Sequence, residues 1–236
     1  MLIAEELLLV THLDAKGNLF NSADELLDST ISGGILAELF LTGRQQIQAK
    51  RLVVVDSSSA DDPFLDDALT RLLPGNIVEP EDPEWVGPII GQLPSGQRVL
   101  DRLIQQGVLR CEEKRTLGIL RGHMYPMQNP AVRQRLVDLE RRVMIDGVAP
   151  DARSATLFFL IGTLGHIDPP KRSRKEKRAY QDRWEELFGD YWGYMPTEQA
   201  APIAGLDPAA RQSIGFLVVS LGTIRAYMFM GGDTSY

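Results

Sequence analysis

The sequence predicts a single, mainly helical domain with short β-hairpins, and three observations lead to that prediction. The 236 residues are 44% hydrophobic and 24% charged, which is the composition of an ordinary globular protein. Most apolar side chains recur at the spacing of helices rather than of strands. A helix, a glycine and a hairpin also occur twice, with Gly43 and Gly107 at equivalent positions, which is typical of winged-helix-like repeated units.

The charge balance and the cysteine content limit the possible functions. With 32 acidic and 25 basic residues, the net charge of -7 argues against nucleic-acid binding over the whole surface. Cys111 is the one cysteine and forms no internal disulfide, which indicates a reducing, cytoplasmic compartment. The apolar start of the chain carries Glu5 and Glu6 where a secretory signal has Lys or Arg, so we interpret it as a buried helix or strand.

The first repeated unit begins with helical spacing over Asp24–Leu41, interrupted by Gly33 and Gly34. We therefore expect two helices that meet at these glycines, followed by a stop at Gly43. Strands at Gln45–Gln48 and 52–55 then flank Lys50 and Arg51 in a predicted hairpin. The second unit repeats the pattern, with Lys114 and Arg115 at the equivalent positions.

The other segments are predicted in chain order from their periodicity and their turn residues. Acidic residues before 65–72 indicate the start of a helix, and a proline-rich stretch around Trp85 indicates an irregular connector. An amphipathic helix over 131–146, a buried helix over 155–165 and a highly charged helix over 171–192 follow. Residues 213–232 are interpreted as a buried C-terminal helix because Arg225 makes a membrane span costly.

The sequence contains no recognisable catalytic motif. A phosphate-binding glycine loop with Lys-Ser/Thr, a nucleophile elbow and a His-Glu-x-x-His motif are all absent from it. His12, His123 and His166 lie far apart, and none has a Cys or carboxylate at the spacing of metal ligands. We therefore expect a protein that is not an enzyme and that needs no metal or cofactor.

Two groups of basic residues are candidates for contact with an anionic partner. Arg133 and Arg135 lie off the apolar stripe of the amphipathic helix, and guanidinium groups bind phosphate through paired hydrogen bonds. The second group is the start of the charged helix, whose alternative interpretation is a solvated helix face. Its basic residues are Lys171, Arg172, Arg174, Lys175, Lys177 and Arg178.

Four segments in order resemble the Golgi phosphoprotein 3 family. They are LIAEELLLV near the start, GGILAELFLTGR in the first unit, DDPFLDDAL after it, and LIQQGVL with a following Tyr-Pro turn. Together they cover most of residues 2–166, whereas about 167–236 diverges within the single predicted domain. The resemblance implies a peripheral Golgi membrane protein that reads phosphatidylinositol 4-phosphate and captures the cytoplasmic tails of glycosyltransferases, and the departures suggest a bacterial-type member.

The resemblance also implies where a headgroup pocket would lie. The family's Trp position falls at Ala23 and its Arg position at Ser32, just before the first conserved helix, so this sequence departs from the pattern there. Arg135 matches a basic position of the later helix, with Arg133 beside it. A family hairpin used for self-association and membrane contact corresponds to 147–153, where Val148 is the one sizeable apolar residue.

The leading hypothesis is a non-enzymatic peripheral protein that binds anionic lipid headgroups, including phosphoinositides, or an acidic partner. Two alternatives remain. The repeated units could form a protein-interaction scaffold without a lipid ligand, or a winged-helix regulator that contacts nucleic acid through Lys50-Arg51 and Lys114-Arg115. Homo-oligomer formation is compatible with each of them.

Overall fold

The computed structural model describes residues 1–14, 16–19, 24–49, 51–73, 76–77, 87–116, 120–164, 173–188, 214–215 and 217. Within these ranges the protein is mainly helical with small antiparallel sheets, as predicted. The helices are α1 (Ile3–Leu7), which continues as a π-helical segment (Leu8–His12), α2 (Asp24–Leu41), α3 (Pro63–Leu72), α4 (Gly87–Ile90), α5 (Gly96–Gln105), α6 (Pro130–Met144), α7 (Ala152–Leu164) and α8 (Arg174–Phe188). The strands are β1 (Gln45–Gln48), β2 (Arg51–Val54), β3 (Asn76–Ile77), β4 (Glu112–Thr116) and β5 (Leu120–Met124).

The centre of the core is the pair formed by α1 and α2. Every residue of α1 and of its π-helical continuation is buried, which confirms the buried structural segment predicted for the start of the chain. The prediction of two helices meeting at Gly33 and Gly34 is wrong, because α2 is continuous. A Cβ added at Gly34 would lie 2.5 Å from the Cα of Ala4, so this glycine permits close helix packing rather than ending a helix.

The first hairpin belongs to a three-stranded antiparallel sheet in the order β1-β2-β3. Gln48 pairs with Arg51 across a two-residue loop, in which Ala49 has a φ of 46°. The strand β3 and the helix α4 lie inside the stretch that the prolines predicted to be irregular, so that prediction is wrong for the described parts. Trp85 lies outside the described residues.

The second hairpin is a separate sheet of β4 and β5, in which Thr116 pairs with Leu120. Lys114 and Arg115 lie within β4, whereas Arg51 begins β2. The expectation that the two Lys-Arg pairs occupy equivalent places in their hairpins is therefore wrong. The second hairpin is longer, and its strands begin later relative to the preceding glycine.

Two buried carboxylates on α1 are neutralised by arginines from distant parts of the chain. Glu5 Oε1 lies 2.9 Å from Arg102 Nε, and both terminal nitrogens of Arg102 also contact the carboxylate of Asp62, at 2.8 and 2.5 Å. Glu6 accepts a hydrogen bond of 2.8 Å from Arg153 on α7. These ion pairs connect α1 to α3, α5 and α7, and removing one partner of a buried pair is strongly destabilising.

The C-terminal apolar run is described at three positions. Ile214, Gly215 and Leu217 are helical, and the side chains of Ile214 and Leu217 are fully buried. The other residues of the run, including Arg225, lie outside the described residues. Of the helices in the described part of the chain, none combines the length and the apolar character needed to cross a membrane.

Candidate anionic-surface site

The helix α6 begins where the sequence supplies both a cap and a proline. The side chain of Asn129 accepts a hydrogen bond of 3.1 Å from the backbone of Ala131, and Pro130 occupies the first turn, where its missing N–H costs nothing. The predicted apolar face is confirmed. Val132, Val143 and Met144 are buried, and Leu136 and Leu139 pack on the core in half-buried positions.

The arginines of α6 differ in their exposure. Arg133 is half-buried, whereas Arg135, Arg141 and Arg142 are exposed. Residues seven positions apart return to nearly the same side of a helix, so Arg135 and Arg142 extend from one outward side. This leaves Arg135 available to a partner in solution, and the two arginines outnumber Asp138, the exposed carboxylate on the same side of α6.

The helix α8 begins with a capping box formed by Ser173 and Glu176. Ser173 Oγ accepts a hydrogen bond of 3.2 Å from the Glu176 backbone, and Glu176 Oε2 accepts one of 2.9 Å from the Ser173 backbone. Hydrogen bonds from Ser173 and from Arg141 hold the pKa of the Glu176 carboxyl below its usual range. The one acidic residue in the first turn is therefore ionised and fully engaged in local contacts.

The predicted basic residues of α8 that the structure describes all face solvent. Arg174, Lys175, Lys177 and Arg178 are exposed, within two turns of the start of the helix. Lys171 and Arg172 were predicted to belong to the same patch and lie outside the described residues. We call the exposed residues Arg135, Arg142, Arg174, Lys175, Lys177 and Arg178 the basic surface.

The two halves of the basic surface are on helices that contact each other. Arg141 Nη1 lies 3.1 Å from Glu176 Oε1, which connects the C-terminal half of α6 to the first turn of α8. Further along, Arg183 donates hydrogen bonds of 3.3 to 3.5 Å to the carbonyls of Val143, Gly147 and Val148. The helices therefore run in similar directions, and Arg135 lies roughly 9 Å before Arg141 along the axis of α6.

A contact between α7 and α8 completes the packing of the site. The indole of Trp184 rests directly on the backbone of α7 at Gly162, where an added Cβ would overlap the ring. Tyr180 stacks with Trp184, with their ring centroids 6.5 Å apart and their planes 16° apart. Since α7 is a core helix, this contact fixes the position of α8 relative to the domain.

Sequence reasoning named Arg133 and Arg135 on α6 but missed Arg141 and Arg142 as parts of the site. The structure brings Arg141, not Arg135, into contact with α8. The Ser173-x-x-Glu176 pattern is a recognisable capping box and could have located the start of α8 more closely. The partnership between Arg141 and Glu176 spans 35 positions and has no local sequence signal.

The position that the family resemblance assigned to a headgroup arginine faces the core. Ser32 lies in the middle of α2 rather than before a helix, and it is fully buried, with no hydrogen-bond partner for its hydroxyl. A side chain at this position does not reach the solvent in the present packing. Ala23, the assigned tryptophan position, lies outside the described residues.

The segment assigned to the family hairpin is the turn between α6 and α7. Gly147 adopts a φ of 75°, and Val148 is 48% exposed. Among the described residues no group of three His, Cys, Asp or Glu side chains is placed to hold a metal ion. The candidate site that remains is a group of exposed cations on α6 and α8.

Comparison with protein families agrees with the resemblance that the sequence segments show. No curated protein matches the sequence. The family model described as Golgi phosphoprotein 3 (GPP34) matches residues 3–201, which is most of the chain and includes both α6 and α8. The protein therefore belongs to the Golgi phosphoprotein 3 family.

Proposed function

We propose that this protein is a non-enzymatic peripheral protein that binds the anionic face of a lipid bilayer on the cytoplasmic side. The observation that carries the proposal is the basic surface, in which exposed cations on α6 and α8 adjoin through the Arg141–Glu176 contact. Membership of the family supports a binding role for lipid or protein. Each Lys or Arg close to an anionic surface adds about 1 kcal/mol of attraction, so several acting together outweigh the net negative charge of the protein.

The shape of the site favours recognition of charge density over recognition of one phosphorylated inositol. A stereospecific pocket needs convergent donors, and paired guanidinium contacts are the strongest of these. Ser32 is buried where the family resemblance expects an arginine, and the cations of the basic surface are exposed to solvent. We therefore expect bilayers of equal charge to be bound similarly, whether the charge comes from phosphatidylglycerol, phosphatidylserine or phosphatidylinositol 4-phosphate.

The test is co-sedimentation with vesicles of phosphatidylcholine alone and of phosphatidylcholine mixed with each anionic lipid at equal total charge, at two salt concentrations. The expected result is pelleting with every anionic mixture, reduced at high salt because screening weakens attraction between separated charges. Equal pelleting with neutral and anionic vesicles would overturn the proposal. Pelleting with phosphatidylinositol 4-phosphate alone would show a specific pocket instead.

The matched variants reverse two charges at different places on the surface. Arg135→Glu with Arg178→Glu removes one cation from each helix; losing two cations alone lowers the affinity for anionic vesicles about 30-fold, and the two new carboxylates should lower it more. Lys16→Glu with Arg51→Glu produces the same net charge from exposed residues outside the basic surface. We expect this control to bind nearly as well as the wild type.

The control pair also bears on the nucleic-acid alternative, which assigns binding to the hairpins. Lys114 Nζ already donates a hydrogen bond of 2.6 Å to Asn18 Oδ1, and Lys50 lies outside the described residues. If the hairpins were the binding elements, Arg51→Glu would abolish salt-sensitive retardation of DNA in a gel shift. A protein that bound neither DNA nor any vesicle would instead favour the scaffold hypothesis.

A further inference from the structure

The helix α8 carries an apolar stripe as well as its basic residues. Tyr180, Trp184 and Leu187 are spaced by four and three positions, so they lie within about 60° of one another around the helix axis. Lys177 and Arg183 flank that stripe, roughly 50–70° to either side of its centre. The acidic residues of the second half of α8 project from the other side of the helix: Asp182, Glu185 and Glu186.

This distribution matches the helices that lie in the interface of a bilayer. Such helices have aromatic and leucine side chains on one side and Lys or Arg next to them, and they bind by apolar burial together with attraction to anionic lipids. Tryptophan and tyrosine prefer the headgroup region because each has an apolar ring and a polar group. Asp182, Glu185 and Glu186 would face away from the lipid when the apolar stripe faces the bilayer, whereas Glu176, four positions before Tyr180, lies on the side of the stripe.

In the structure the same stripe packs on the domain, but incompletely. Tyr180, Trp184 and Leu187 are all half-buried rather than buried. Glu176 and Arg183 make polar contacts from α8 to α6 and to the turn after it, and both are charged groups that water also solvates. The stripe therefore retains apolar surface that a bilayer interface would cover more fully.

We propose that α8 leaves its position on α6 and α7 when the protein meets an anionic bilayer, and that Tyr180 and Trp184 then enter the headgroup–acyl boundary. This inference rests on the proposed function, because the basic surface first brings the protein to the bilayer. The Trp184–Gly162 contact holds the docked state. Loosening that contact favours the bilayer-bound state, and fixing α8 to α6 prevents it.

The readout is fluorescence of Trp184 as the one tryptophan, obtained with Trp85→Phe and Trp192→Phe. Vesicles of phosphatidylcholine and phosphatidylglycerol with brominated acyl chains quench an indole that enters the boundary. The expected result is strong quenching with the anionic vesicles and none with brominated phosphatidylcholine alone. Vesicle pelleting without quenching of Trp184 would overturn the inference and leave the proposed function intact.

A cross-link between the helices tests whether α8 must move. Arg141→Cys with Glu176→Cys, in a Cys111→Ser background, removes one positive and one negative charge and leaves the net charge unchanged. A bismaleimide joins the two cysteines, and N-ethylmaleimide modifies the same cysteines without joining them as the matched control. The cross-linked protein should still pellet at low salt but lose most of the quenching, whereas equal quenching in both samples would contradict the inference.

A change at Gly162 tests the opposite direction. Gly162→Ala places a methyl group against the indole of Trp184, so it weakens docking and should lower the lipid concentration for half-maximal quenching severalfold. Gly91→Ala is the matched control, since an added Cβ there meets no atom within 4 Å. If the Trp184–Gly162 contact served only the fold, Gly162→Ala would give no gain in quenching. Circular dichroism verifies that both variants are folded.

If Arg135→Glu with Arg178→Glu left pelleting unchanged, the proposed function itself would fail.

Discussion

The first helix–glycine–hairpin unit, residues 24–54, and the second, residues 96–124, have the same backbone turn where the helix ends. Gly43 N donates to Phe40 O, and Gly107 N donates to Ile104 O. Gly43 and Gly107 both have a φ of 69°. The next residue in each unit closes the turn, with Arg44 N bonded to Leu39 O and Val108 N bonded to Leu103 O. This is the Schellman pattern in both units, so the local sequence alone determines this turn.

After the turn the two units differ because their surroundings differ. The first hairpin gains β3 as a third strand, and its helix α2 contacts α1, α3, α4, α5 and α7. The second hairpin pairs only with itself in the described part of the chain, and α5 keeps an exposed face with Gln97, Arg98 and Asp101. One unit is the centre of the core and the other lies at its edge, which shows that a repeated local motif does not determine its own burial.

The largest expected effect tests this difference in burial at equivalent positions. Phe40 is fully buried, whereas Ile104, its counterpart in the second unit, is half-buried. Phe40→Ala should lower the free energy of unfolding by about 4 kcal/mol through lost burial and a cavity, and Ile104→Ala by about 1 kcal/mol. Urea denaturation measures both values. Equal losses would show that the two helices are buried to the same extent.

The next effect concerns the ion pairs that hold the second unit to the core. Arg102→Ala leaves Glu5 as a buried carboxylate without its cation and should cost about 3 kcal/mol in the free energy of unfolding. Arg98→Ala is the matched control on the same helix, because its guanidinium also lies over the Phe64 ring but pairs with the more exposed Asp67. We expect less than about 1 kcal/mol for the control. Similar losses from both variants would contradict a special role for Arg102.

The same contact predicts a dependence on pH. Burial raises the pKa of the Asp62 carboxyl. Hydrogen bonds from Arg102 and from the Phe64 backbone lower this pKa by a larger amount, so it lies below its ordinary value. Ionised Asp62 therefore stabilises the folded state at neutral pH, and this contribution is lost as the pH falls through the lowered pKa. Asp62→Asn keeps a side-chain oxygen for the helix cap and should cost about 2 kcal/mol at pH 7, with the difference from the wild type shrinking in acid.

Glu6→Gln provides the comparison of opposite sign. Burial raises the pKa of the Glu6 carboxyl, and the nearby Arg153 lowers it by less. The contribution of Glu6 to stability is therefore greatest at low pH and falls as the pH rises through the raised pKa. Denaturation of both variants between about pH 3 and pH 7 measures the two slopes. Slopes of the same sign would contradict the opposite pKa shifts of the two carboxyls.

The sequence predicted what depends on neighbouring residues. Gly43 and the apolar face of α6 were read correctly because a left-handed turn and a helical period are local properties. The continuity of α2 was not predicted, since the reason for Gly34 is its contact with Ala4, thirty positions earlier. The third strand β3 was likewise missed, because its partner β2 lies across the helix α3 in the sequence.

For the candidate site, too, the sequence predicted only what depends on neighbouring residues. Composition and periodicity identified the basic residues of α6 and α8, and the structure leaves those it describes on α8 exposed. Which turn of α6 meets α8 depends on Arg141, Glu176 and the packing of Trp184 on Gly162. These contacts join separate parts of the chain, so no local pattern specifies them. The position of Ser32 inside the core similarly depends on how α1 covers α2.

The smallest expected effect tests the feature that the two units share. An alanine at a φ of 69° pays the steric cost of the left-handed region, about 1 kcal/mol, and an added Cβ at either glycine meets no atom within 4 Å. Gly43→Ala and Gly107→Ala should therefore destabilise the protein by the same amount, although one turn lies in the central unit and the other in the peripheral one. Urea denaturation of the two variants side by side measures the difference. A clearly larger loss of unfolding free energy for Gly43→Ala would mean that burial of the first unit, and not the local backbone, determines the cost of an alanine in the turn. The two units would then differ in this turn as well as in their burial.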